Sequence, residues 1–181
     1  MTSMVIVPGV PALLPEYRSR IDPVPELRQA CHEAVAWLTE RCPSRVTVLA
    51  EGTGSVARRV ADSLLAESGF TGEVVTPESS GDPDGLLVVA NGSARRGEKA
   101  PGHLDPRAFD FDDQLEAALE KGDAAALGDI ETALGNELLA EGLEALRSLA
   151  SFSDAHITST MLYAGDPYGV RYWVVTWECV F

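Results

Sequence analysis

The chain has 181 residues, 45% of them apolar, and a formal net charge of −14, which predicts one domain over residues 1–181 with a substantial core. The excess of acidic residues disfavours nucleic acids and anionic membranes as partners, because phosphate groups need Lys and Arg to replace their counterions. No apolar run reaches the length of a membrane-spanning helix and the first residues lack the basic start of a signal peptide, so we expect a soluble cytoplasmic protein.

Short apolar runs alternate with helical patterns through the first half of the chain. In chain order, the patterns predict a strand over residues 4–7, a helix over 26–41, a strand over 46–50, a helix capped by Ser55 and stopped by Gly69, a short strand over 73–76 and a strand over 86–90. Residues 77–85 are rich in turn formers. Alternation of this kind favours parallel strands that are connected by helices.

The second half of the chain begins with helices and ends with two strands. The patterns predict a helix that starts at Asp110 or Asp112 and stops at Gly122, a short helix capped by Asp123, a helix from about 136 to 150, and strands over 157–163 and 170–178. The turn formers at 165–169 join these two strands in a hairpin. The whole order predicts an α/β fold with a mostly parallel mixed sheet and an antiparallel C-terminal pair at one edge.

A small basic cluster of Arg95, Arg96 and Lys99 follows the strand over 86–90. It could bind an anion or a carboxylate beside the strand end, or its members could pair with acids such as Asp105 and those at 110–113. We favour ion pairing, because exposed ion pairs are common. These last acids could in turn bind a hard cation, but acids are also favoured at the start of a helix, and we favour the capping role.

Other candidate chemistry is sparse. The histidines stand apart, at no spacing typical of a metal site, and a surface role or a single hydrogen bond is favoured for each of His32, His103 and His156. Residues 52–55 could hold an anion at a helix N-terminus. Their spacing fits neither a dinucleotide-binding loop nor a Walker loop, so a tight turn followed by an N-cap is the favoured interpretation.

The closing hairpin is rich in aromatic residues. Strand alternation places Tyr172 and Val174 on one face, and Trp173 and Trp177 on the other. Either both faces are covered by the rest of the chain, or the aromatic edge is an interface between copies of the protein.

Several motif blocks together resemble the class III extradiol ring-cleavage dioxygenases of the LigB type. The blocks are VPGVPALLPE at 7–16, ANGSAR at 90–95, APGHLDPR at 100–107, FDDQLEAALEKGD at 111–123, LAEGLEALRSL at 139–149 and GDPYGV at 165–170. The resemblance runs through most of the chain. It implies a three-layer α/β/α sandwich, a ferrous iron held by two histidines and a glutamate, and a further histidine that acts as acid and base.

Most of the functional positions that the resemblance implies hold other residues. Gly9 stands at the first iron-binding histidine, residues 50–52 at the second, and Ala94 at the catalytic histidine. Glu141 alone matches a metal ligand. One carboxylate does not make the two-histidine, one-carboxylate site of a non-haem iron enzyme, and neither Gly nor Ala can move a proton. We therefore expect no metal, no cofactor and no ring cleavage.

The resemblance leaves three hypotheses for function. In the first, the protein is a degenerate member of the family that binds a small molecule or a partner, and the ligand is a small carboxylate or aromatic compound. In the second, it is an enzyme of another class that uses Glu141, Asn91 and Arg95. In the third, it is a homo-oligomer formed through the aromatic hairpin. The cleft expected at the strand ends is lined by Gly9, Gly52, Asn91, Ser93, Arg95 and Glu141.

Overall fold

The computed structural model describes residues 1–17, 19–52, 54–77 and 84–181. The strands are β1 (Thr2–Val7), β2 (Arg45–Leu49), β3 (Glu73–Val75), β4 (Gly85–Val89), β5 (His156–Gly165) and β6 (Tyr172–Val180). The helices are α1 (Pro25–Arg41), α2 (Val56–Glu67), α3 (Arg107–Lys121), α4 (Ala124–Gly128), α5 (Thr132–Glu137) and α6 (Leu143–Ser148). Short 3₁₀ turns occupy Pro11–Leu13, Pro15–Tyr17, Leu149–Phe152 and Pro167–Gly169.

The described strands form one six-stranded sheet in the order β3-β2-β4-β1-β6-β5. The first four are parallel to one another. Strand β6 runs antiparallel to β1, and β5 antiparallel to β6. The predicted α/β class, the mostly parallel sheet and the antiparallel C-terminal pair are all confirmed. Within the described residues, no helix has the length and apolar character that crossing a membrane requires.

Two apolar clusters cover opposite faces of the central strand β1. Val5 and Val7 pack in a cluster with α1 and α2. Met4 and Ile6 pack in a cluster with α3, α4 and α6. Because side chains alternate along a strand, these clusters lie on opposite sides of β1. This explains why the run over 4–7 is apolar throughout. The description of the whole fold as a three-layer sandwich stays a prediction.

The aromatic residues of β6, which are Tyr172, Trp173 and Trp177, lie inside the protein, whereas Tyr168 in the turn of the hairpin is exposed. Tyr172 belongs to the cluster with α1, and Trp173 and Trp177 belong to the cluster with α3. The indole Nε1 of Trp177 donates to the carbonyl of Leu119 at 2.8 Å. The predicted alternation is confirmed and both faces of β6 are covered. An interface between copies cannot use these indole rings, since both tryptophans are fully buried.

The prediction of a single helix over 136–150 is wrong. Helix α5 ends at Glu137, and α6 begins only at Leu143. Between them, Leu139 has a φ of +59° and Gly142 a φ of +73°, values that no right-handed helix allows. Glu141 is extended instead, and pairs with Asn91 as an isolated antiparallel bridge. The apolar spacing of the leucines continues across the break, so periodicity alone could not reveal it.

The capping role expected for the acids at 110–113 is wrong for Asp112. Helix α3 starts at Arg107, so Asp112 lies inside the helix and is fully buried. Its Oδ1 accepts from the backbone N of Ser93 at 2.8 Å, and its Oδ2 accepts from Arg96 Nη1 at 3.1 Å. The backbone N of Arg107 donates instead to the carboxylate of Asp105 at 3.0 Å.

Candidate functional site

A pocket of about 320 Å³ opens at the carboxyl ends of the parallel strands. It is lined by Gly9 after β1, Glu51 after β2, Ser55, Val56 and Ala57 at the start of α2, Val89, Ala90 and Asn91 at the end of β4, and Glu141 and Gly142 before α6. Ligands of open α/β sheets bind at this edge, because the loops that follow the strands converge there. The pocket is therefore the candidate site.

Asn91 ties three segments of the pocket together. Its backbone N donates to the carbonyl of Glu141 at 2.9 Å, and the backbone N of Glu141 donates back at 3.2 Å. The side-chain Oδ1 of Asn91 accepts from the backbone N of Gly9 at 2.7 Å. Its Nδ2 lies 3.4 Å from Glu141 Oε2. With both its backbone and its amide engaged, Asn91 holds the ends of β1 and β4 and the extended segment at Glu141 in one arrangement.

The pocket carries negative charge at Glu141 and Glu51. The side chain of Glu141 is exposed to the pocket, yet surrounding protein removes enough water to raise its pKa, and the charge of Glu51 raises it further. Glu51 also accepts from the backbone N of Glu144, in the first turn of α6, at 3.3 Å. Among the described residues, no Lys or Arg lines the pocket. A cationic group is the ligand that relieves this charge.

Replacing Glu141 with glutamine is expected to stabilise the protein slightly at neutral pH, by less than about 1 kcal/mol. The raised pKa means that the folded state holds this proton more tightly than the unfolded state. In the wild type, protonated Glu141 contributes its full stabilisation below the unfolded-state pKa, and this contribution is lost as pH rises through the folded-state pKa. Glutamine does not titrate and loses nothing, so the difference in free energy of unfolding in favour of the variant grows as pH rises through this range. Urea unfolding of both proteins between about pH 4 and pH 8 measures it. An advantage that shrinks as pH rises contradicts the assigned environment.

Gly9 leaves no space for a side chain. A Cβ built on it would lie 2.9 Å from Val89 Cγ1 and 3.1 Å from the Cα of Ala57. The start of α2 therefore packs directly where the resemblance implies the first histidine. Within the described residues there is also no group of three or more His, Cys, Asp or Glu side chains placed to bind a metal. The residues present do not fit the iron centre of the LigB-type enzymes.

Ala94, at the position implied for the catalytic histidine, has a structural role. It packs against the apolar cluster on the α1 side, and its backbone N donates to the carbonyl of Leu138 at 3.1 Å. A methyl group carries no proton, so this position has no acid or base function.

Ser93 and Arg95 lie outside the pocket. Ser93 is fully buried, and its Oγ donates to the carbonyl of Leu138 at 2.8 Å. Arg95 donates from Nε to the carbonyl of Gly102 at 2.8 Å and from Nη1 to the carbonyl of Glu137 at 3.0 Å. Both side chains hold the loop after β4 in place. The structure thus brings together Gly9, Asn91 and Glu141 from the six predicted cleft residues. Gly52 follows the pocket residue Glu51 with a φ of +74° and does not itself line the pocket.

The ion pairing favoured for the basic cluster is confirmed for its two arginines. Arg95 Nη1 lies 3.9 Å from the carboxylate of Asp105. Arg96 pairs with Asp112 at 3.1 Å and with Asp166 at 2.9 Å. Lys99 is exposed. Because the arginines are engaged within the protein, neither is placed to receive a carboxylate ligand in the pocket.

Glu51, Ser55 and Gly142 line the pocket but are not among the predicted cleft residues. Glu51 follows β2 directly, and its position at a strand end is a signal that sequence reasoning could have used. Gly142 gave no such signal, because its role depends on a break in the predicted helix.

No family model matches the chain. A comparison with curated proteins likewise finds none of significant similarity. The resemblance to the LigB-type enzymes is carried by the motif blocks of the sequence.

Proposed function

We propose that this chain is a LigB-like protein that has lost ring cleavage and binds a small molecule in the strand-end pocket. The observation that carries the proposal is the packing of α2 against Gly9, which leaves no space for a metal-binding side chain. The pocket beside it persists, held by Asn91 and Glu141. The loss of the implied histidines removes the metal chemistry, while the frame that positions a ligand at the strand ends remains.

The ligand that the pocket favours carries a cationic group, such as an organic ammonium ion. Glu141 and Glu51 face the pocket, and removal of water by the surrounding protein, together with the charge of Glu51, raises the pKa of Glu141. An ammonium group between them would be paired with a carboxylate and would lower the pKa of Glu141 back toward its usual range. The carboxylate ligand expected from the sequence depended on Arg95 and Arg96, whose guanidinium groups are engaged elsewhere.

A pair of probes with the same ring and opposite charge tests this proposal. Benzylammonium and benzoate are titrated into the isotopically labelled protein, and backbone amide shifts are followed by NMR. We expect benzylammonium to shift the amides of Ala57, Asn91 and Gly142, and benzoate to leave them unchanged. Glu141→Gln should weaken benzylammonium binding by about tenfold, since one charge-assisted contact is lost. Glu144→Gln, an exposed acid just outside this pocket, is the matched control.

Two outcomes would overturn parts of this account. Shifts with benzoate alone would restore the carboxylate ligand and remove the cationic one. Near-stoichiometric iron in the purified protein would contradict the loss of metal chemistry, because the packing at Gly9 would then have to differ.

An enzyme of another class is the second candidate, and the raised pKa of Glu141 favours it. A carboxyl group that titrates closer to neutral pH is better suited to general acid and base catalysis. Asn91 stays in reach of such a group, but Arg95 does not take part because its guanidinium is committed to backbone carbonyls. An activity that survives Glu141→Gln unaltered excludes this role.

A further inference from the structure

The edge strand β5 lacks the prolines and charged side chains that often prevent edge-to-edge pairing, and its one β-bulge lies beyond Met161, outside the first half of the strand. It has ten residues and lies at the end of the sheet, beside β6. The chain from residue 155 to residue 165 contains no Pro, Lys, Arg, Asp or Glu. Natural edge strands are usually short, or carry charges or prolines that discourage another strand. Because no further strand of the described chain lies beyond β5, its backbone edge is open to a partner.

The regular part of β5 is complementary to itself. A β-bulge between Met161 and Tyr163 ends the regular register with β6, so the uninterrupted segment begins at residue 156 and is centred near Ser159. Antiparallel pairing of two copies about Ser159 would place Ile157 opposite Met161 of the other copy, and Thr158 opposite Thr160. Apolar side chains then face apolar ones and threonines face threonines, pairings that stabilise antiparallel sheets.

The charge distribution permits a second copy at this edge. A chain with a net charge of −14 repels itself wherever acidic side chains meet. Strand β5 presents none. Glu178 of β6, which lies beside Thr158, is directed to Arg41, whose Nε is 4.0 Å from its carboxylate. Two copies can therefore pair along β5 without acidic side chains of this strand facing each other.

We propose that a second copy of this chain pairs antiparallel with β5 about Ser159 and extends the sheet across a two-fold axis. The proposal is independent of the pocket, which lies among the loops after β1, β2 and β4. It also moves the expected interface of the hairpin from the aromatic side chains of β6, which are buried, to the backbone edge of the outer strand β5.

Introducing opposite charges at two exposed threonines, in separate variants that are then mixed, tests both the dimer and its register. Thr158 and Thr160 are exposed, so substitutions there should not disturb folding, which circular dichroism can check. We compare four samples of the full chain by sedimentation velocity: wild type, Thr158→Lys with Thr160→Lys, Thr158→Glu with Thr160→Glu, and an equal mixture of the two double variants. Thr71→Lys, at an exposed threonine just before the opposite edge strand β3, is the control.

The proposed register makes a distinct prediction for each sample. Wild type and the Thr71 variant should sediment at about twice the chain mass of 19.3 kDa. Each double variant places like charges opposite one another twice, and its dimer dissociation constant should rise at least about tenfold. The mixture should recover dimers, because each Lys then faces a Glu. A monomeric wild type at concentrations on the order of 100 µM, or double variants that dimerise as well as wild type, would overturn the proposal. Loss of dimers without recovery in the mixture would exclude this register.

Discussion

Replacement of Asp112 by alanine is expected to destabilise the protein by about 3 kcal/mol. Asp112 is fully buried inside α3, and burial raises its pKa against the opposing pull of the Ser93 amide and Arg96. Its removal leaves the amide of Ser93 without its 2.8 Å acceptor. It also removes one of the two carboxylates that neutralise Arg96, which keeps only its contact with Asp166. Removing one partner of a buried pair is costly, because the charge left behind is poorly solvated.

The neighbouring acid supplies the control for this prediction. Asp113 follows directly in α3 but is exposed, and Asp113→Ala should change the free energy of unfolding by no more than about 0.5 kcal/mol. Asp112→Asn should lie between the two, since its amide oxygen still accepts from Ser93 while the ion pair with Arg96 is lost. Urea unfolding of the three variants gives the comparison. Equal stabilities for Asp112→Ala and Asp113→Ala would show that the contacts of Asp112 contribute nothing.

Replacement of Gly142 by alanine is expected to destabilise the protein by about 3 kcal/mol or more, and to disrupt the pocket. Gly142 has a φ of +73°, and a Cβ there would lie 2.3 Å from the carbonyl oxygen of Val89 and 2.7 Å from the Cα of Ala90. These atoms are backbone at the end of β4, so they cannot turn aside as a flexible side chain could. The left-handed backbone adds about 1–2 kcal/mol for any residue with a Cβ.

Gly69 separates these two causes. It has a φ of +76°, close to that of Gly142, but a Cβ there would meet no atom within 4 Å. Gly69→Ala should therefore show the backbone cost alone, about 1 kcal/mol. Thermal or urea unfolding of the two variants measures the difference. If both lose the same free energy, the close approach between Gly142 and β4 has no energetic consequence, and the described position of this segment is wrong.

Much of the fold could be predicted because its elements are marked by local features. The run over 4–7 is apolar throughout, as a strand covered on both faces requires. Ser55 accepts from the backbone N of Arg58 as an N-cap, and Gly122 ends α3 with a φ of +69°. Both signals act within one turn of helix, where sequence determines structure directly. Residues 78–83, within the segment predicted to be turn-rich, lie outside the described part of the chain.

The errors arise where distant contacts override local pattern. The leucine spacing around Glu141 predicts a helix, but the bridge to Asn91, 50 residues away, holds this segment extended. The sequence places Asp112 near a predicted helix start and so predicts a capping role. Only its contacts with Ser93 and Arg96 show that it is a buried structural group. Neither contact leaves a periodic trace in the sequence.

The residues of the candidate site likewise fall into those that could be placed from sequence and those that could not. Gly9, Asn91 and Glu141 could be placed together because the resemblance aligned them, and all three line the pocket. Ser93 and Arg95 stand beside Asn91 in sequence, but the turn after β4 directs them into the protein. Strand ends predict where a site lies; which side chains face it depends on the turn that follows.

The most direct test of the central claim is the affinity of benzylammonium measured across pH by calorimetry. If Glu141 provides the anionic contact, wild-type affinity should fall as pH is lowered through the raised pKa of this group, because protonation removes the charge that binds the ligand. Glu141→Gln should bind weakly and show little dependence over the same range. Wild-type affinity that is independent of pH, or a preference for benzoate throughout, would contradict a cation-binding pocket at the strand ends.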